Sequence, residues 1–591
     1  MPANYSSNKP RVPVPFEGIQ VNFCKNMDCS HFGNEASTKA QKKGRGHHSG
    51  DGYVISNMER QRYRIKCKRC GQYSTLKSNK GIYEEIARIS AYLDPDDKNL
   101  SCPDPDCPNH GKDVNAFKKL YQKNGWTSAK SRRYICKACE KSFSRNNRPT
   151  ARQRIVYKNR AIFVSILNKV PFKRICETEG IGMQTIYDKI EFFHAQCLAF
   201  AAHRERQLAE KIVLERAYIA SDRQDFIVNW TNTNDKRNVV LKAIASAEIK
   251  TGYVFGMNVN FDPSLDPAVV KELAEQEGDV KEDMAYRQFA CVWLESDHGA
   301  TCRARKHKEP ILLGGLDLDI EERYKEALTR PEIEASDDPD TTMRLPYYGM
   351  QIHEEYTLYG HFFFLKRLLG NVGKVRFFLD QDSGIRAACL SAFKDEVMSA
   401  TCDAFFVRIN KDLNVHQKMK LCADYKRDME EARERYPDLT DKSIRLLRIA
   451  DEMERLKSIG RWDDRWLTYP FPDASEPEKA VCYLTNRNDY EEMHMAHLYH
   501  MASLHSIDSY FNQVRSRISC LQHSSVSQSN TGRRWYGNQP YNPAIVQKLL
   551  DMFRVYYNYC LKSKKDKLTP AMRIGLARAP IPAEDILNFT S

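Results

Sequence analysis

Eight cysteines stand in four pairs before residue 140, and the pairs repeat. The first copy reads Cys24-x4-Cys29 with His31 close behind, then Cys67-x2-Cys70. The second reads Cys102-x4-Cys107 with His110, then Cys136-x2-Cys139. A basic, aromatic lead precedes each second pair: Arg62-Tyr63-Arg64-Ile65-Lys66 in one copy, Arg132-Arg133-Tyr134-Ile135 in the other. A glycine, Gly52 or Gly125, precedes each lead. Tetrahedral zinc needs four soft ligands from two loops, which two such knuckles on a β-hairpin supply. Cys24, Cys29, Cys67 and Cys70 form one expected zinc site, and Cys102, Cys107, Cys136 and Cys139 the other. Redox chemistry is the competing reading of a C-x-x-C pair, but no βαβ context surrounds these. Apparent zinc affinities of about 10–16 kcal/mol imply that lobes this small fold only with metal. At their spacing, His31 and His110 read as phosphate or solvent contacts.

The charge is concentrated in the same region. Residues 1–160 hold 32 Lys and Arg against 14 Asp and Glu, a net +18, so the other 431 residues carry −4 of the chain's +14. Phosphate neutralisation drives nucleic-acid affinity, so a basic front on a near-neutral body points to a polyanion partner. A solubilising surface is the plain alternative. Residues 1–18 have no apolar targeting core, and no run approaches a membrane span of ~18 apolar residues. A soluble, cytoplasmic protein without a membrane partner is expected. In that setting paired cysteines read as metal ligands, and the ten scattered ones as small buried apolar side chains.

Beyond the cysteines the texture changes twice. Residues 150–208 read as helical. Pro171-Phe-Lys-Arg-Ile-Cys-Glu-Thr-Glu gives one helix, Gly180-Ile181-Gly182 a turn, and Gln184–Phe193 a second, which is the helix-turn-helix pattern. Gln184, Thr185 and Lys189 are the expected DNA contacts. From residue 212 the pattern is β: Ala217–Ala220, Asn238–Ala245 and Tyr253–Phe261 form a meander. A helix at Tyr356–Leu369, a strand at Lys374–Leu379, a helix from about Ile385 and a strand at Asp403–Arg408 follow. Three antiparallel strands and then strand–helix alternation is the RNase H-like order. Residues 262–350 and 411–500 read as mainly helical insertions, and the tail near Asn542–Cys560 as one amphipathic helix.

Two-metal phosphodiester chemistry needs carboxylates on a rigid sheet, holding two Mg²⁺ or Mn²⁺ about 3.5–4 Å apart. Asp222, in Ala-Ser-Asp222-Arg-Gln-Asp225, ends the first strand; Asp225 is its local rival. In Phe377-Phe-Leu-Asp380-Gln-Asp382-Ser-Gly, Asp380 closes a strand, and Asp382 is the second choice, with helix capping as its plain alternative. Asp508 lies in Leu504-His-Ser-Ile-Asp-Ser-Tyr-Phe-Asn-Gln-Val-Arg515-Ser-Arg517, beside the apolar stripe of Ile507, Phe511 and Val514. Pairing with a nearby arginine is its plain alternative, and Glu491 and Glu492 read as a solvated helix start. Arg533-Arg534-Trp-Tyr is a basic-aromatic loop, able to touch DNA or simply solvent.

The second cysteine copy resembles the N-terminal zinc ribbon of bacterial insertion-sequence transposases, which implies DNA binding next to the helix-turn-helix. Asp222, Asp380 and Asp508 resemble, in order, the three acidic motifs of DDE transposases, with Asp in place of the usual third Glu. The tail's Tyr556-Tyr-Asn-Tyr and Thr569-Pro-Ala resemble the end of integrase catalytic domains. The resemblance implies a nucleoid-associated enzyme, homo-oligomeric on double-stranded DNA, that cuts element ends and joins them to target. Arg132, Arg133, Arg515, Arg517, Arg533 and Arg534 would contact DNA. A non-catalytic DNA-binding regulator and a structure-specific nuclease are the competing functions. The expected architecture is multidomain: zinc ribbon 1 with a helix (18–97), zinc ribbon 2 (98–148), an all-α helix-turn-helix (150–208), and an α/β RNase H-like catalytic domain (210–591).

Overall fold

The computed structural model describes residues 10–39, 51–58, 62–94, 100–127, 131–144, 149–151, 153–210, 214–232, 234–302, 315–330, 333–335, 339–410, 413–460, 464–487, 489–522 and 534–590. The chain opens with β1 (Tyr53–Met58), β2 (Arg62–Cys67), β3 (Tyr73–Thr75) and α1 (Asn79–Ser90), then β4 (Tyr121–Trp126), β5 (Arg132–Cys136) and β6 (Ser142–Ser144). Three helices follow: α2 (Asn159–Ile166), α3 (Phe172–Glu179) and α4 (Met183–Glu210). The central stretch holds β7 (Leu214–Val228), β8 (Val239–Glu248), β9 (Val254–Val259), β10 (Phe261–Asp262), α5 (Pro267–Gln276), α6 (Glu295–Thr301), α7 (Gly315–Thr329) and β11 (Met350–Gln351). Next come α8 (Glu354–Leu368), β12 (Val372–Asp380), α9 (Ser383–Ala392), α10 (Lys394–Met398) and β13 (Cys402–Ile409). Then follow α11 (Val415–Arg435), α12 (Asp441–Met453), β14 (Lys457–Ile459), β15 (Asp464–Tyr469), β16 (Lys479–Tyr483), α13 (Glu492–Met501) and α14 (His505–Arg517). The tail adds α15 (Ala544–Tyr559), α16 (Pro570–Arg573) and α17 (Ala583–Leu587).

Two compact units result, and they interleave along the chain. A sheet unit comprises Met1–Ile89, Leu208–Ser516 and Cys520–Leu550; a helical unit comprises Ser90–Gln207, Arg517–Ser519 and Asp551–Ser591. The serial division into four domains is therefore not how the contacts fall. The first cysteine lobe joins the sheet, and the second joins the helix-turn-helix and the tail. A cut after residue 205 would divide both units.

The sheet unit is built on eight strands in the order β14-β15-β16-β13-β12-β7-β8-β9. β7, β12 and β13 run parallel, while β8 and β9 continue from β7 as an antiparallel meander. β12 is buried from Val375 through Leu379, as expected of a parallel strand covered on both faces, with Arg376 the one charged residue in the run and paired with Asp403. Residues 411–500 are mainly helical, in α11, α12 and most of α13, but they also supply β14, β15 and β16, which extend the sheet antiparallel beyond β13. β7 also runs well past the four residues expected, to fifteen. Polar Asp222, Arg223, Gln224 and Asp225 interrupt its apolar pattern, yet all pair with β8.

The two faces of β7 have different partners. On one, Ser221 Oγ meets Ser246 Oγ at 2.6 Å, and Ser246 meets Nε2 of His361 on α8 at 2.8 Å. Nδ1 of His361 lies 2.8 Å from Asn258 Nδ2, and burial pushes the ring's pKa down to about 3, so His361 is a neutral core residue. Arg223 shares that face and pairs with Glu354 at the start of α8 and with Asp382. Asp222 and Gln224 point to the other face.

In the helical unit, α2, α3 and α4 pack around Ile162, Phe163, Ile175, Ile186, Ile190 and Phe193, all buried. Gly180 closes α3 at φ 61°, the left-handed turn residue that glycine adopts without strain. The second helix of the motif is far longer than Gln184–Phe193; α4 spans 28 residues. Near its end, Glu205 is buried against Arg554 of α15 and accepts from the Tyr92 hydroxyl. Removing one partner of a buried pair leaves an uncompensated charge. Arg554→Met is expected to destabilise the helical unit by about 3–5 kcal/mol, read as a lower urea midpoint for its amides in hydrogen exchange, with the sheet unit's amides unchanged.

Candidate functional site

The two cysteine quartets converge as their spacing requires. In the first, Cys24 and Cys70 sulfurs lie 3.5 Å apart and those of Cys29 and Cys67 3.8 Å apart. In the second, Cys102–Cys139 is 3.3 Å and Cys107–Cys136 3.6 Å. A tetrahedral ion with Zn–S bonds of about 2.3 Å sets its sulfurs about 3.8 Å apart, so both quartets fit structural zinc. Donors support the sulfurs: His31 N lies 3.4 Å from Cys29 Sγ, and Asn109 Nδ2 lies 3.3 Å from Cys136 Sγ. Burial opposes a Cys136 thiolate, but the Asn109 amide and the N–H groups of Cys139 and Ala138 outweigh it and bring the thiol down to about 6. A thiolate is the form that binds metal. Neither histidine has a metal-ligand role here. His110 Nδ1 meets the Cys102 carbonyl at 2.7 Å, and His31 Nδ1 lies 3.6 Å from Cys67 Sγ, outside the quartet.

The duplication extends to a residue that the motif reading passed over. Tyr53 OH accepts from Cys24 N at 3.0 Å and donates to Asn34 O at 2.6 Å. Tyr121 OH accepts from Cys102 N at 3.4 Å and donates to Lys112 O at 2.6 Å. Each tyrosine ties the first knuckle to the loop that follows it. The signal was in the sequence, since each opens the strand after the first cysteine pair.

The first lobe is packed into the sheet unit. Lys25 Nζ reaches Glu334 Oε1 at 3.0 Å and the Tyr359 hydroxyl of α8 at 2.6 Å. A Cβ on Gly384 of α9 would meet Glu334 O at 2.0 Å, so that approach admits only glycine. In the second lobe, β4 leaves Lys123 and Trp126 exposed, and the Arg132 guanidinium lies 4.8 Å from the centre of the Trp126 ring. Arg133 is exposed beside it.

The carboxylates meet through strand register. The parallel β7–β12 pairing ends at Ser221↔Leu379, so Asp222 and Asp380, each the next residue, stand side by side on neighbouring strands. Asp222 is thus not at the end of its strand but where β12 stops pairing with it. On its other side stands Ala245 of β8, and opposite Asp380 stands Val407 of β13. Ile507, Phe511 and Val514 of α14 are buried, and Asp508 is half-buried beside them. Arg515, two turns after Asp508, donates from Nη1 to Gln224 Oε1 at 3.2 Å, which brings α14 over the Asp222 face. Burial lowers the Arg515 pKa, against the pull of Asp508 and Asp222. From β13, burial works against the Arg408 charge, but Asp319 of α7, Asp380 and Asp222 raise its pKa overall. Asp319 holds Arg408 by two bonds of 2.5 and 2.9 Å. Arg408 and Asp319 were not expected here; nothing local in sequence ties α7 to β13.

Among the described residues, only the cysteine quartets form groups of three or more His, Cys, Asp or Glu with all ligand atoms within 4.8 Å of one another. Asp222, Asp380 and Asp508 do not. Carboxylates that share two ions about 3.5–4 Å apart need not all be in mutual reach.

Asp382, the second choice, has other work. It caps α9, accepting from Gly384 N at 2.8 Å and Ile385 N at 3.0 Å, and it pairs with Arg223. Asp225 is exposed. Glu491 stands at the N-cap position of α13 without a side-chain capping bond, and both it and Glu492 are exposed.

Several expected DNA contacts separate in the same way. Gln184 is exposed at the start of α4 and donates to Asp188 at 2.9 Å; Thr185 is half-buried, and Tyr187 is 43% exposed on the same turn. Lys189 is corrected: it is buried, with Nζ on Asn159 Oδ1 at 2.6 Å and Gln153 Oε1 at 2.9 Å, and burial lowers its pKa. Arg517 donates to Asn168 Oδ1 at 2.6 Å, an internal tie of the helical unit. Arg534 is half-buried, its backbone bonded to Asn238, and Arg533 lies outside the described residues.

No protein-family model matches the chain, and no curated protein does. Its chemistry rests on its own residues. Among the described residues no helix is long and apolar enough to cross a membrane.

Because the first lobe packs on α8 and α9, a metal held by its quartet would matter beyond the lobe. Elemental analysis is expected to give about two zinc ions per chain. Cys67→Ser is expected to remove about one and to lower the melting temperature of the sheet unit. Cys136→Ser should remove the other and affect the helical unit. Equal hydrogen-exchange protection of the sheet unit with and without the first zinc would count against this coupling.

Proposed function

We propose that this chain is a DDE-type transposase that uses three aspartates, Asp222, Asp380 and Asp508, to hold two divalent ions for DNA strand cleavage and strand transfer. The observation that carries the reading is the register that sets Asp222 and Asp380 abreast on parallel strands, with α14 laid across the Asp222 face. The meander β7-β8-β9 followed by α8-β12-α9-β13 is the order expected of an RNase H-like domain. Asp380 closes β12 at its carboxyl end, where α/β sheets bind ligands, and Asp222 stands beside it part-way along β7.

In this reading the residues have separate tasks. Asp222, Asp380 and Asp508 would together hold the two ions. The ions activate a water or 3′-hydroxyl and stabilise the departing oxygen; the protein positions and neutralises charge. The helical unit and the second cysteine lobe would hold duplex DNA. The start of α4, with Gln184, Thr185 and Tyr187, suits a major groove, and Arg132, Arg133, Lys123 and Trp126 suit the backbone beside it. Pairing two element ends calls for at least two copies of the chain.

The test is supercoiled DNA carrying the element's ends, incubated with the protein and Mg²⁺. Joined products are expected, as distinct from the nicks alone that a nuclease gives and the unchanged DNA that a regulator leaves. An amide keeps the shape of a carboxylate and loses the charge that holds metal. Asp222→Asn, Asp380→Asn and Asp508→Asn should each lower cleavage by roughly 100-fold or more, at tenfold per about 1.4 kcal/mol, with end binding intact. Glu491→Gln and Asp382→Asn should not act through metal: the first should be silent, and the second, whose Asn still caps α9, should lower stability by breaking the ion pair with Arg223. Cleavage at the parent rate by Asp222→Asn and Asp380→Asn would refute the reading.

A further inference from the structure

Gln224 has an arrangement that its packing does not explain. It is two residues beyond Asp222 on β7, so it shares that aspartate's face of the sheet. It is 6% exposed. A guanidinium can only donate, so the bond from Arg515 Nη1, at 3.2 Å, fixes the Gln224 oxygen toward Arg515 and turns the amide nitrogen away. That nitrogen, Nε2, is buried with no hydrogen-bond partner. Its neighbour across β8 is Ala243, whose side chain offers no acceptor. A buried donor left unpaired costs about 1–3 kcal/mol, a cost that a protein keeps where a ligand completes the bond.

We propose that Gln224 is a phosphate-binding residue of this site, its amide N–H donating to a non-bridging oxygen of the DNA phosphodiester held beside Asp222. The inference rests on the reading of Asp222, Asp380 and Asp508 as the metal-binding carboxylates. The chemistry favours a phosphodiester: its non-bridging oxygens only accept, and they carry the negative charge that the two ions and Arg515 attract. A neutral amide suits the position, because a further carboxylate would face the phosphate with like charge. Arg515 acts on Gln224 as a positioning residue by holding the amide in one orientation.

Two substitutions separate this role from a structural one. Gln224→Glu keeps an acceptor for Arg515, and strengthens that bond, but removes the amide donor. Gln224→Leu keeps the approximate volume and removes both. The probe is supercoiled plasmid DNA, nicked in Mg²⁺ or Mn²⁺, with rates measured over a range of plasmid concentrations. Loss of one preorganised donor is expected to lower kcat on the order of 100-fold in both variants, with KM and melting temperature near the parent values. If Gln224 serves only to hold Arg515, Gln224→Glu, which still holds it, will keep nicking that Gln224→Leu loses, and that result would overturn the proposal. Asp222→Asn is run alongside. Nicking that survives it would overturn the site and with it this inference, whereas nicking lost there but kept in Gln224→Glu would overturn the role of Gln224 alone.

Discussion

The parallel pairing of β7 with β12 is the constraint on which the rest of the sheet unit depends. It joins segments separated by more than a hundred residues and sets the register residue by residue from Val372↔Leu214 to Leu379↔Ser221. A slip of one position would turn Asp380 to the opposite face from Asp222 and bury its charge among the apolar side chains under α8 and α9. Both strands are buried on both faces from Val375↔Ala217 to Leu379↔Ser221, so such a slip would also misplace Phe377, Phe378 and Leu379. The register is therefore fixed by packing, and the position of the carboxylates follows from it.

Charge on the two faces of β7 is handled differently. Arg223, Glu354, Lys242 and Asp382 neutralise one another on the α8 face, in a network whose side chains are all largely buried. Such networks hold elements in one arrangement more than they add stability. On the Asp222 face Arg515 reaches Gln224 from α14, while Arg408, bound to Asp319, acts on Asp380 and Asp222 through its charge alone. The first arrangement is closed. The second retains an unpaired donor, the Gln224 amide nitrogen, and carboxylates outside mutual ligand range.

What could be read from the sequence follows from the range of the interaction concerned. The zinc quartets were legible because coordination fixes spacing within a lobe of a few tens of residues. The meander, α8, β12, α9 and β13 were legible from local periodicity. Asp382 could have been set aside from its neighbours alone, since Asp-Ser-Gly opening a helix is a capping signal; its pairing with Arg223 was out of reach. Lys189 is three residues after buried Ile186 and next to buried Ile190, so helical spacing already turned it inward. The end of β7 was missed because Asp222 through Asp225 break the apolar pattern, although the strand is held by β8 there. β14, β15 and β16 were missed because they are short, and helical charge patterns precede them. The interleaving of the two units depends on where α15 packs, which no local pattern records.

That interleaving has a consequence for how the protein is made. Glu205 and Arg554 are 349 residues apart in the chain, yet one buries the charge of the other. At a synthesis rate of about 5–20 residues per second, Glu205 leaves the ribosome roughly 20–70 s before its partner exists. The helical unit cannot close around that carboxylate until nearly the whole chain has been translated. The basic cysteine lobe and the helix-turn-helix thus emerge early but acquire their final support last. A ribosome that stalls before residue 550 leaves both units unfinished, so a truncated product keeps the Glu205 carboxylate without the arginine that neutralises it.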